Sequence, residues 1–397
     1  MSARGRKLQS TSFCVTDLVT SPLPLAQALI RCPSVTPADE GALGVLQHAL
    51  EGLGFRCKRY PFEDVDNLYA RLGSEAPNFC FAGHTDVVPV GDAAAWSVDP
   101  FAAETKDGKL IARGAVDMKS QIAAFVTAVA RLLEEKDQLR GSISFLITGD
   151  EEGPAVNGTK KLLKAIEADG ETISHCLVGE PTSETSLGDV IKNGRRGSLN
   201  GKVVVTGKQG HVAYPDKAKN PVPILLSFLS KLTDWHLDDG APGFQPSNLE
   251  VTSLDVGNHA HNVIPARAEA KFNIRFNTHH TGAQLENEIA KFALAIDPDC
   301  QHIALDLKTT GEAFYTEPGP LTDMLQASVK EVTGTNAALT TGGGTSDARF
   351  IKDFCPVAEL GLKNDTAHKV DEFTELAELE DLADIYTGVL RRYFAQS

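Results

Sequence analysis

The chain has no long apolar run, no basic excess and no paired cysteines, and each absence removes a class of function. No stretch reaches the roughly 18 consecutive apolar residues of a membrane-spanning helix, so no membrane partner is expected. The 397 residues carry 38 lysines and arginines against 53 aspartates and glutamates, a formal charge of −15. That sign repels phosphate backbones and no local basic run offsets it, which argues against nucleic acid as a partner. Seven cysteines, Cys14, Cys32, Cys57, Cys80, Cys176, Cys300 and Cys355, are odd in number, scattered and without CxxC spacing. Cys80 and Cys176 fall inside apolar segments, where a free thiol packs as a small hydrophobe. Reduced thiols and a cytoplasmic protein are expected. The segment Met1–Ser10 is basic but has no apolar core behind it, so it does not read as a secretory signal. Residues 1–21 are expected to form a flexible extension. Repeats and low-complexity segments are also lacking. What is present is 42% hydrophobic residues, enough for a large core, and enough length for two domains.

From about residue 22 to 196, apolar strand cores at Phe79–Ala82, Ile143–Ile147 and Cys176–Val178 alternate with helical segments, of which Ile122–Leu133 is the most apolar. That alternation predicts an α/β domain with a mostly parallel sheet flanked by helices. The pattern then changes. Ser198–Thr206, Leu249–Val256, Ala266–Phe276 and Gln301–Leu307 read as strands, and Val222–Trp235 and Gln284–Ile296 as helices. The order β-α-β-β-α-β is that of a ferredoxin-like unit. Alternation resumes from Gly311 and ends on an amphipathic helix from Glu375 to about Phe394. The expected architecture is a discontinuous catalytic domain, residues 22–196 and 310–397, with an inserted ferredoxin-like βαββαβ domain at 197–309. The edge or helices of the inserted domain offer a surface for a homodimer.

Five potential metal ligands stand out: His84, Asp117, Glu152, Glu180 and His368. Four lie just past a strand. His84 follows Asn78-Phe-Cys-Phe-Ala-Gly, Glu151 and Glu152 follow Ser142-Ile-Ser-Phe-Leu-Ile-Thr, and Glu180 follows His175-Cys-Leu-Val-Gly. His368 comes a short loop after Pro356-Val-Ala-Glu-Leu, and Asp117 precedes the helix that begins near Lys119. A parallel sheet opens its crevice at the carboxyl ends of its strands, so these residues would meet on one rim. Singly, each has a bland reading: His84-Thr-Asp86 as a surface turn, Asp150-Glu151-Glu152 as a solvated acidic loop. Their joint placement makes a metal site the better reading. Two imidazoles and three carboxylates suit zinc, and a shared carboxylate could hold two ions. Asp86 is placed to accept the second ring proton of His84. Of Glu151 and Glu152, one can bind metal while the other stays free to move a proton; the residues alone leave either assignment open. Arg195 and Arg196 lie in a glycine-bounded turn at the domain junction, and with Arg275 they are the candidates for gripping carboxylates.

Gly83-His-Thr-Asp-Val-Val-Pro89, Gly114-Ala-Val-Asp-Met-Lys119, Thr148-Gly-Asp-Glu-Glu-Gly153 and Gly179-Glu-Pro-Thr182 resemble the dinuclear zinc aminoacylase/carboxypeptidase family. Finer motifs are similar to a branch whose substrates carry an N-succinyl group: Asp189-Val-Ile-Lys-Asn-Gly-Arg-Arg-Gly-Ser198, Gly210-His-Val-Ala-Tyr-Pro215, Asn262-Val-Ile-Pro265, Gly343-Gly-Thr-Ser-Asp347 and His368-Lys-Val-Asp371. The resemblance covers residues 22 to 395. It implies two zinc ions per subunit, replaceable by cobalt, with Asp117 shared, His84 and Glu180 on one ion, and Glu152 and His368 on the other. It implies Glu151 as general base and then acid, Asp86 as the support of His84, and a cis peptide between Asp117 and Met118. As substrate contacts it implies Arg195, Ser198, Arg275, Tyr214, Gly344, Thr345 and Asn364, with His211 and Asn262 supplied by the partner of a homodimer. His211 would donate to the oxyanion. His261 stands where the pattern has a second asparagine. The activity so implied is hydrolysis of a small anionic N-succinyl amino acid. Removal of an acetyl group by the same chemistry is the nearest alternative. A non-catalytic metal-binding dimer scaffold is another, for which an unligated Glu151 would have no use.

Overall fold

The computed structural model describes residues 18–135 and 139–395. They divide into two compact units. The described residues up to Ile191, Pro318–Ala338 and the segment from Phe350 onward form the first; Lys192–Glu317 and Leu339–Arg349 form the second.

The sheet of the first unit runs, in order, Arg56–Arg59, Leu68–Leu72, Ser142–Thr148, Asn78–His84, His175–Val178 and Val357–Glu359. It ends at Val190–Lys192 and Ala338–Thr340, the segments through which the chain passes to the second unit. The four strands from Ser142–Thr148 to Val357–Glu359 pair in parallel, while the first two pairings are antiparallel. Ser142–Thr148 and Asn78–His84 are buried along their whole length. They therefore read as continuous apolar runs rather than alternating ones. Helix Lys119–Glu135 is buried over most of its circumference, which its alanine-rich apolar sequence allows, and it packs against helices Pro22–Ile30 and Leu376–Tyr393. Phe125 joins these layers. Its ring stacks on Phe81 at 4.4 Å and meets Phe145 and Tyr386 edge-on at 5.3 and 5.6 Å.

The second unit is an antiparallel sheet in the order Asn248–Asp255, Arg267–Phe276, Gly197–Thr206, Ile303–Gly311. Alternate residues of Gly197–Thr206 and Arg267–Phe276 point into a core shared with helices Pro221–Thr233 and Gly282–Ile296. Asn220 caps the first helix, and Thr281 with Gln284 forms a capping box on the second. This is the expected ferredoxin-like order.

The unit borders differ from those read in the sequence. Gly194–Arg195 pairs with Phe314–Tyr315, which carries the second unit out to Lys192 and Glu317. Leu339–Arg349, expected in the catalytic domain, also belongs to the second unit. A further two-stranded antiparallel pairing, Gly210–His211 with Val263–Ile264, is too short to leave any periodicity in the sequence. Of the extension expected at 1–21, residues 1–17 lie outside the described residues; Leu18 and Val19 are buried, so the packed chain begins before residue 22. Among the described residues no helix is long and apolar enough to cross a membrane. Cys14 lies outside them, and the other six cysteines are free.

Because Phe125 is fully buried at the junction of sheet and helices, Phe125→Ala should lower unfolding free energy by about 3–5 kcal/mol. Chemical denaturation of the metal-free protein measures this; a loss below about 1 kcal/mol would show that the cluster does not hold the layers together.

Candidate metal centre

Parallel pairing brings strand ends to one edge. His84 is the last residue of its strand and is paired in register with Thr148, the last of the neighbouring strand. On the other side Ala82 pairs with Val178, so Glu180 emerges just beyond. Glu152 follows Thr148 by a short turn, and His368 enters from the loop that leaves Val357–Glu359. Asp117 sits directly before helix Lys119–Glu135, and the peptide between Asp117 and Met118 is cis.

The side chains fall into two groups that share one carboxylate. His84 Nε2 lies 3.2 Å from Asp117 Oδ1 and 3.8 Å from Glu180 Oε1. His368 Nε2 lies 3.1 Å from Asp117 Oδ2 and 2.8 Å from Glu152 Oε1. Within each trio the ligand atoms are all within 4.8 Å of one another. The two oxygens of Asp117 thus face two different imidazoles. The pocket is uneven: the His84 side chain is 1% exposed and that of His368 50%.

Charge explains what such a cluster can hold. Burial alone would depress the His84 pKa, but Asp117, Asp86 and Glu180 outweigh it and carry the imidazole well above its ordinary value. Hydrogen bonds to Asp117 and Glu152 push His368 up to about 10. Burial would raise the Asp117 carboxyl, yet His368 and His84 hold it below the usual carboxylate range. Three carboxylates demand positive charge, and ring protons supply it here. Divalent cations would supply it through the Nε2 lone pairs, and the mixed nitrogen and oxygen donors suit them. The orientation of His84 fits as well. Its Nδ1 donates to the main-chain carbonyl of Asp86 at 2.9 Å, leaving Nε2 to face the two carboxylates.

That hydrogen bond corrects one expectation. The Asp86 carboxylate, expected to take the His84 ring proton, lies 3.6 Å away. It accepts instead the main-chain N–H groups of Glu151 at 3.3 Å and Glu152 at 3.1 Å. The HxD spacing does put Asp86 beside His84, but a turn that already presents its carbonyl to the ring frees the side chain for the neighbouring loop. Burial pushes the Asp86 carboxyl up to about 6. Asp150 likewise turns away from its acidic neighbours and accepts the amides of Ala155, Val156 and Asn157 at 2.9–3.2 Å.

Several supports were not legible as functional residues. Met118 is fully buried against the strand ends. A Cβ on Gly83 would stand 2.5 Å from its Cε, and one on Gly179 would stand 2.8 Å from that atom and 2.4 Å from the Phe81 ring. The glycines before His84 and Glu180 are therefore what lets the segments carrying His84, Asp117 and Glu180 close on each other. Lys119, buried, donates to the carbonyls of Leu29 and Cys32 at 3.0 and 2.8 Å, and burial lowers its pKa to about 8. Arg113 and Glu372 form an ion pair beneath Asp117. Their only sequence signal was adjacency to the Asp117 and His368 motifs.

The remaining candidates lie elsewhere. In the second unit, Ser198 is the register partner of both Arg275 and Gly311, and Thr345 lies beside Gly311. Arg195, largely buried, donates to the Gly344 carbonyl at 2.9 Å. Arg196 donates to Asn248 at 2.8 Å, and burial followed by the nearby Arg275 charge lowers its pKa. His211 and Asn262 are neighbours at the short pairing of Gly210–His211 with Val263–Ile264, where the Val212 amide donates to the Asn262 carbonyl; both side chains are exposed in the single chain, as are Tyr214 and His261. Asn364 belongs to the first unit and is also exposed.

The model of peptidase family M20/M25/M40 matches residues 80–392. The chain belongs to this family. The succinyl-diaminopimelate desuccinylase of Maricaulis maris is 59% identical over 385 residues, covering 97% of this chain and 98% of its own. That of Parvibaculum lavamentivorans is 58% identical over 380 residues, covering 94% and 96%. Among solved structures, the M20 family metallo-carboxypeptidase Sso-CP2 from Sulfolobus solfataricus superposes with a TM-score of 0.76 at 17% identity, over 94% of this chain and 99% of that one. The Bacillus subtilis YXEP protein, a dinuclear metal binding peptidase from the M20 family, gives 0.71 at 14%, over 96% and 100%. At those identities the likeness is one of fold, and it bears out the α/β architecture expected from the sequence.

Cations and protons compete for the same ring nitrogens. Without metal, His368 is pushed up to about 10 and His84 is raised above its ordinary value, so a ring proton competes with a cation for each Nε2. Metal binding should therefore release protons, and affinity should fall as pH is lowered from about 8 to about 6. Titration calorimetry in buffers of different ionisation heat measures both. An affinity that did not change over that range would contradict ligation through His84 and His368.

Proposed function

We propose that the protein is a zinc-dependent hydrolase that cleaves N-succinyl-LL-2,6-diaminopimelate to succinate and LL-2,6-diaminopimelate, a step of lysine and cell-wall precursor synthesis. The observation that carries the chemistry is the Asp117 carboxylate, with one oxygen towards each of two imidazoles. The near full-length likeness to desuccinylases supports the substrate over an acetylated one.

In this reading Asp117, His84 and Glu180 would hold one ion and Asp117, Glu152 and His368 the other; cobalt could replace zinc. When bound, such a pair supplies Lewis acidity towards a carbonyl oxygen and a water molecule. Glu151 stands outside both ligand trios, next to Glu152, with its amide fixed by Asp86. It takes a proton from the attacking water as the new C–O bond forms at the succinyl carbonyl carbon. It returns that proton to the amine nitrogen as the C–N bond breaks. Arg195, Arg275, Ser198, Tyr214, Gly344, Thr345 and Asn364 bind the substrate's charged groups. Recognition by paired guanidiniums is local, which reconciles a polyanionic substrate with a chain of net charge −15.

The exposure of His211 and Asn262 in the single chain supports a homodimer through the inserted domain, in which these two residues of each chain serve the partner's site and His211 donates to the developing oxyanion. The free cysteines suit a reducing cytoplasm.

The purified protein should release succinate from N-succinyl-LL-2,6-diaminopimelate far faster than acetate from N-acetylornithine; the reverse order would overturn the substrate assignment. Glu151→Ala should lower turnover about 10²- to 10⁴-fold and keep both ions, whereas Glu152→Ala should lose one ion. The opposite metal contents would exchange the two roles.

Subunit mixing addresses the dimer. Inactive Glu151→Ala and inactive His211→Ala subunits, once exchanged, form mixed dimers with one intact site, so part of the activity should return. No recovery after exchange verified by mass spectrometry would place His211 in its own chain's site.

A further inference from the structure

Arg113 and Glu372 are 2% and 0% exposed, and Arg113 Nη1 lies 2.6 Å from Glu372 Oε2. The other carboxylate oxygen, Oε1, accepts the main-chain N–H groups of Val116 at 2.8 Å and Asp117 at 3.1 Å. The Glu372 carbonyl accepts the amide of Ala112 at 2.9 Å. On the opposite side, Arg113 Nη2 reaches the carbonyls of His368 and Pro89, each at 3.4 Å, and its guanidinium lies 5.3 Å from the centre of the Trp96 ring. One pair of side chains thus grips the backbone of the shared carboxylate and the backbone of the exposed imidazole.

His368 needs such a grip. It lies in no helix or strand, its φ is +63°, and its side chain is half exposed. A second pin lies three residues on, where Asp371 Oδ1 accepts the amide and hydroxyl of Ser97 at 2.8 and 3.1 Å. Stability alone is a poor account of the ion pair. A buried pair is often replaceable by apolar side chains at little or no cost in stability, so its value lies in where its hydrogen bonds go. Those bonds end on two residues of the metal centre that come from segments far apart in sequence.

We propose that Arg113 and Glu372 are positioning residues for the metal centre. Through the Asp117 amide and the His368 carbonyl they set the separation of the shared carboxylate from the exposed imidazole, and so set metal affinity. This rests on the reading that Asp117 and His368 ligate metal. Glu372→Gln keeps the shape but turns an N–H₂ group towards either Arg113 or the two amides. Arg113→Lys keeps the charge but loses the fork that reaches Glu372 and His368 together.

The test is zinc affinity of the metal-free, full-length protein, measured by competition with a chromophoric chelator, beside its thermal unfolding. Each variant should bind zinc about 10- to 100-fold more weakly, and Arg113→Lys should weaken the site containing His368 more than the other. A structural role without positioning would lower the unfolding temperature and leave both affinities unchanged; that outcome, with wild type binding two ions, overturns the proposal and leaves the metal reading standing. Failure of the wild type to bind zinc overturns both. Should Glu372→Gln not fold, Arg113→Lys decides the matter alone.

Discussion

Asp117 offers one carboxylate to two imidazoles, and most of what surrounds it can be understood as holding that carboxylate still while keeping its charge. It lies deep at the edge of the sheet, where an unpaired carboxylate would take up a proton. His84 and His368 prevent this, one on each oxygen. Its main chain is held by Glu372 from below. Met118 beside it fills the space that Gly83 and Gly179 leave open, and Lys119 ties the start of the following helix to the end of helix Pro22–Ile30. A shift of about 1 Å in a group of this kind is enough to degrade a site.

The acids near the centre divide into two kinds. Asp117, Glu152 and Glu180 face imidazoles, whereas Asp86, Asp150 and Glu372 face main-chain N–H groups. The division follows from electrostatics. So many carboxylates cannot all be neutralised by two imidazoles, and those turned away from the centre are stabilised by amide dipoles, joined in the case of Glu372 by a guanidinium. The second set orients the first through the backbone: Asp86 holds the amides of Glu151 and Glu152, and Glu372 holds that of Asp117. The Glu151–Glu152 turn is therefore supported by residues of the same chemical type as those that face the imidazoles, which is why composition alone does not tell them apart.

Most of the scaffold was legible from local pattern. Buried parallel strands appear as unbroken apolar runs such as Asn78–His84, and the inserted sheet as alternation along Gly197–Thr206 and Arg267–Phe276. Strand ends then point to His84, Glu152 and Glu180, because parallel neighbours must finish on one edge. Short or irregular elements escaped. The two-residue pairings Gly194–Arg195 with Phe314–Tyr315 and Gly210–His211 with Val263–Ile264 have no period to detect, and the first of them moved the unit border.

The sequence by itself determined which side chains stand at strand ends, the order of helices and strands, and the acidic balance of the whole chain. These depend on neighbours in the chain or on totals, so they survive without coordinates. The tertiary structure alone decided where each carboxylate turns. Asp86 reaches the Glu151–Glu152 turn because the His84 ring is already satisfied by a carbonyl, Asp150 folds into its own loop, and Glu372 meets Arg113 across a separation of 259 residues. A carboxylate's partner is set by which donor lies within about 3 Å, and sequence distance carries no information about that.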